Sequence, residues 1–111
     1  MSTDADKLAA LKSHWPEAEL VPADGRTYVH LPNLKVAAGA SPKTVAALLR
    51  PWANGDGYST RLFFSEKFTT KGNNWNVFTI AGRTWHACSW NGVPETLPWL
   101  QMTANHLAPL L

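Results

Sequence analysis

The sequence predicts an α+β domain with an N-terminal helix, an antiparallel meander sheet and a C-terminal helix. Three observations predict it. The β-patterned segments lie together in the middle of the chain, between two segments with helical spacing, and do not alternate with helices. They are short and separated by turn chemistry, Asp24-Gly25, Lys71-Gly72-Asn73-Asn74 and Ala81-Gly82. The chain of 111 residues, 45% hydrophobic and 16% charged, also suits one compact core, since a domain near this size buries about two-thirds of its unfolded surface. A single domain, 1–111, is expected, with a helix in 1–16, sheet and loops in 17–90 and a helix in 97–108.

The first helix is read over Thr3 to His14. Thr3 or Asp4 caps it, Leu8, Leu11 and Trp15 recur on one face, and Pro16 ends it. Glu19 to Val21 and Thr27 to Leu31 form two strands joined at Asp24-Gly25, and Leu34 to Ala37 forms a third after Pro32-Asn33. The run Val45 to Arg50 is open to two readings. Ser41-Pro42 starts a short helix, or the run is a buried strand stopped by Pro51. Tyr58 to Glu66 reads as a strand, with Leu62, Phe63 and Phe64 too apolar for a one-sided edge. Trp75 to Ile80 alternates as a strand, and Ala81-Gly82 turns it into Arg83 to Trp90. The last helix spans about Leu97 to His106, with Leu100, Thr103, Ala104 and Leu107 as its expected inner face.

Composition excludes several classes. The net charge is +2 and no two Lys or Arg are adjacent, so the basic track of a nucleic-acid binder is missing. No apolar run approaches the ~20 residues of a membrane span. One cysteine, Cys88, makes no internal disulfide, and the mixed polar start from Met1 to Lys12 does not resemble a signal peptide. A cytoplasmic, reducing setting is therefore expected. His14, His30, His86, Cys88 and His106 lack metal-ligand spacing, and no phosphate loop or dinucleotide fingerprint is present. No metal and no cofactor are expected.

The segment from Leu49 to Tyr58 with Arg61-Leu62-Phe63-Phe64, then Gly82-Arg83-Thr84-Trp85, Ser89-Trp90-Asn91 and the helix ending Asn105-His106-Leu107, resembles prokaryotic ubiquitin-conjugating (E2) proteins of family E. The likeness covers roughly Glu17 to Leu111. It implies a UBC-like fold, with the middle run as strand, and a role in a bacterial ubiquitin-like conjugation pathway. The implied partners are an E1-like adenylating protein, a ubiquitin-like protein and a JAB-like isopeptidase. The pattern departs from the family at its centre: Trp85 stands where the family's cysteine is expected, and Cys88 follows three positions later. His30-Leu31-Pro32-Asn33 holds the letters of the family's His-Pro-Asn motif with one residue too many, far upstream of Cys88, and reads as a turn.

Thioester transfer needs an exposed thiolate, lowered from its free pKa of ~8.5 by a cationic or hydrogen-bonding neighbour. Cys88 is the candidate thioester residue. His86, two positions earlier, shares its side of an extended strand and is the candidate neighbour or base. Asn91 is the candidate oxyanion donor, with Asn73, Asn74 and Asn76 as rivals, and Arg83 adds positive charge. The competing description is a small buried hydrophobe between two tryptophans. Of the six tryptophans, Trp15, Trp75 and Trp85 have the phase of core residues. Trp52, in a Gly-rich loop, and Trp90 are the candidate partner-binding anchors, with Arg83. Two functions follow: an E2-like carrier that accepts a ubiquitin-like protein on Cys88 and passes it to an amine, or a non-catalytic E2-like module that docks the E1-like or ubiquitin-like partner.

Overall fold

A computed structural model describes residues 4–36, 43–53, 57–66, 75–88 and 92–108. The element order is α1 (Asp4–Lys12), β1 (Glu19–Ala23), β2 (Arg26–Val36), β3 (Lys43–Arg50), β4 (Arg61–Phe64), β5 (Trp75–Ile80), β6 (Arg83–Cys88) and α2 (Trp99–Leu107). The strands make one six-stranded sheet in the order β1-β2-β3-β4-β6-β5, antiparallel at every step.

This architecture corrects the UBC-like α+β meander expected from the sequence. The sheet dominates, the two helices have nine residues each, and the last two strands exchange places. The exchange has a simple cause. Strand β6 carries Trp85, Ala87 and Cys88, all buried, whereas β5 carries exposed Asn76, Val77 and Thr79. The strand that is apolar on both faces takes the interior position beside β4, and the one that tolerates solvent takes the edge.

Strand β2 runs through the expected Pro32-Asn33 break. Leu31 faces Ala47 and Leu34 faces Val45, so β2 spends one residue more than β3 between the two pairs. That extra residue is a β-bulge, which accommodates a proline inside a sheet. It also resets the alternation: Val29, Leu31, Leu34 and Val36 all reach the same core, which an unbulged strand would prevent. Strand β3 settles the open middle run as extended chain. Val45, Ala47 and Leu49 point to one face and Ala46 and Leu48 to the other.

The helices pack against each other, and α2 also packs on β4. They cover one side of the sheet, the helix face, where Leu11, Phe64, Leu49, Trp99 and Met102 are at most 1% exposed. The buried stripe of α2 is Trp99, Met102, Thr103 and His106, one position out of phase with the sequence expectation, whose Leu100 and Leu107 are half-buried and whose Ala104 is exposed. The opposite side holds a second cluster of Tyr28, Leu48, Phe63, Ile80 and Trp85, to which, among the described residues, neither helix contributes. Here the sheet covers itself. The β1–β2 turn (Asp24, Gly25) and the β5–β6 turn (Ala81, Gly82) belong to opposite ends of the strand order, yet Ala81 N–H donates to Asp24 Oδ2 at 2.8 Å. The sheet is rolled until its outer hairpins touch, and a groove remains between them.

Candidate functional site

Strand β6 organises every described candidate of the Gly82–Gly92 stretch. Its register against β5 places Arg83 opposite Ile80, Trp85 opposite Phe78, His86 opposite Val77 and Cys88 opposite Trp75, and on its other side His86 faces Phe64. Alternation therefore sends His86 and Cys88 to the helix face and Arg83, Trp85 and Ala87 to the groove face.

On the helix face, Cys88 is 9% exposed and unpaired. Burial pushes its thiol pKa up; a hydrogen bond from the backbone and the Arg61 guanidinium oppose the shift without cancelling it. A thiol held in this way stays protonated at neutral pH and is a poor nucleophile. His86 is half-buried, and its Nδ1 is covered without a hydrogen-bond partner. The strand does bring His86 and Cys88 to one side, as their spacing implied; Cys88 is buried there, while His86, opposite exposed Val77, is only half-buried. Asn91 and Trp90 lie outside the described residues, as do Asn73 and Asn74. Asn76 is directly opposite Ala87, on the groove face. Trp52 is half-buried, with its ring edge-on to Trp99 at 6.0 Å and its carbonyl accepting from Arg50 Nε at 2.9 Å. It packs on the helix-covered core.

The sequence reading missed a buried polar cluster beneath α2. Thr60 Oγ1 donates to Val93 O at 2.8 Å and lies 2.7 Å from His106 Nε2. A hydroxyl has one proton, already given to the carbonyl, so His106 donates from Nε2 and is the Nε2–H tautomer. Its pKa is lowered to about 4, first by burial and then by the positive charge of Arg61 and Arg50. Both arginines are buried. Arg50 donates Nη2 to Tyr58 O at 2.8 Å, and the Arg61 guanidinium stacks 4.1 Å from the Tyr58 ring and 4.7 Å from that of Phe78. The signal for His106 was present in the spacing of Trp99, Met102, Thr103 and His106 at i, i+3, i+4 and i+7.

On the groove face, Val21 of β1, His30 of β2, Leu48 of β3 and Ile80, Arg83 and Trp85 of the last hairpin line a groove of about 190 Å³. Trp85 is 3% exposed and its indole N–H is without an acceptor. Arg83, exposed at the mouth, holds its guanidinium 5.0 Å from the Trp85 ring. Among the described residues no three of His, Cys, Asp and Glu converge as metal ligands, and no helix is long and apolar enough to cross a membrane. The chain matches no family model, no curated protein and no solved structure.

Proposed function

We propose that this protein is a non-catalytic binding module that meets its ligand or partner on the groove face of the sheet. The observation that supports the reading is the phase of β6. One strand buries its thiol on the face away from the groove, where burial raises the pKa, and turns Arg83 and Trp85 toward an open groove. Thiol transfer asks for the opposite arrangement, a cysteine at the surface with a lowered pKa.

The E1-like and ubiquitin-like proteins suggested by the sequence motifs are the first macromolecules to test. The chain is incubated with such a pair and ATP, and the products are run on a non-reducing gel. The module is expected to form no thiol-sensitive adduct, and native Cys88 is expected to react with iodoacetamide at least about tenfold more slowly than in the urea-unfolded chain. An adduct that forms with the native sequence and disappears in Cys88→Ser would overturn the reading in favour of a transferase.

A further inference from the structure

We infer that the groove between the outer hairpins is a binding site for a small carboxylic acid with an apolar body about the size of one aromatic ring. The inference rests on the binding-module reading and names its ligand class. Three independent observations support it.

The first is size. A volume of about 190 Å³ exceeds the ~150 Å³ apolar cavity that admits one benzene ring, so a ring and a short acidic arm fit and a folded partner does not enter. The second is the wall. Leu48, Ile80 and Val21 supply apolar contact, while the Trp85 indole N–H in the same wall is buried without an acceptor. A buried donor left unpaired costs about 1–3 kcal/mol; the nitrogen is closed to solvent in this conformation, so a ligand oxygen meets it only when Arg83 leaves the ring. The third is charge. Arg83 stands over the Trp85 ring, and among the described residues no carboxylate forms an ion pair with it. Among the described residues no Asp or Glu lines the groove, and Arg83 is the permanent cation of its lining. A lining with a permanent positive charge at Arg83 and no carboxylate favours an anion on that side. The guanidinium reaches a carboxylate by swinging off the indole face, which also uncovers the ring for the ligand's apolar body.

The test is a ¹H–¹⁵N NMR titration of the full chain with 3-phenylpropionate, alongside 3-phenylpropanamide, which has the same body without the charge. Trp85→Phe identifies the indole resonance by its loss. Saturable shifts are expected at the Trp85 indole and at the amides of Ala81 and Arg83, with dissociation near the millimolar level usual for so small a ligand. The amide is expected to bind about tenfold more weakly. In Arg83→Gln, an exposed change that leaves the core intact, the carboxylate is expected to fall to the level of the amide. Equal binding of acid and amide, or shifts confined to other surfaces, would overturn the ligand class. A silent groove with an inert Cys88 would reject this ligand and leave the module reading standing. A silent groove with a Cys88-dependent adduct would reject both.

Discussion

His106 shows how one buried side chain ties stability to pH. Its folded pKa of about 4 lies below the ordinary 6.5, so between these values the unfolded chain binds a proton that the folded chain refuses. Stability is then fully present above pH 6.5 and is lost as pH falls toward 4. Urea unfolding at pH 7 and 4.5 is expected to show a loss of about 2 kcal/mol from this group. In His106→Gln, which keeps a donor for Thr60, the difference between the two pH values is expected to shrink by about that amount. A Gln variant with the native pH slope would place the proton uptake elsewhere. The same scale separates what residue identity reveals from what it hides. The i, i+2 spacing of His86 and Cys88 was enough to put them on one side of a strand. Whether that side meets helix or solvent depends on α2 and β4, and no residue near Cys88 encodes it.

At the level of elements, the two-residue turns are the most informative. Asp24-Gly25 and Ala81-Gly82 all have positive φ, with Asp24 and Ala81 both at 51°, the backbone of a type I′ hairpin that matches strand twist. Asp and Gly accept that conformation readily; Ala costs roughly 1 kcal/mol there. Ala81→Asn is expected to raise stability by about 0.5–1 kcal/mol. Asp24→Ala is expected to lower it by about 2 kcal/mol, since the bond to Ala81 N–H is lost and Ala takes on the strain of φ 51°. Both are read from the urea midpoint at constant slope, and equal destabilisation by the two changes would contradict the strain argument. Elements with a clean local signal were legible. Trp75 to Ile80 alternates and is β5 over the same residues. Strand β2 was not, because Pro32 and Asn33 are turn residues by composition and only pairing with β3 makes them a bulge. The face of α2 was misread by one position because Leu100 and Leu107 look as apolar as Trp99 and Met102.

Across the whole molecule, the sheet has two unlike sides, and neighbouring leucines of β3 sample both. Leu49 is fully buried under the helices, and Leu48, 4% exposed, borders the groove. Leu49→Ala is expected to cost about 2–5 kcal/mol, because a close-packed wall cannot collapse into the void. Leu48→Ala is expected to cost about 1–2 kcal/mol, since its void opens into existing space. Equal costs from denaturant unfolding would mean that the groove wall is as closely packed as the helix face. The overall architecture was the least legible feature. Short motifs in chain order suggested a UBC-like arrangement, but chain order does not state which strand of the last hairpin docks on β4. That choice follows from the summed burial of Trp85, Ala87 and Cys88 against exposed Val77 and Thr79.

The bond between Asp24 and Ala81 joins the two ends of the strand order at a single point. The first amide of a two-residue hairpin turn has no partner within its own hairpin, so Ala81 N–H is protected from solvent hydrogen only while that bond is made. Its exchange rate measures how often the rolled sheet springs apart, and any molecule that bridges the two hairpins must slow this one proton before it slows those of the core.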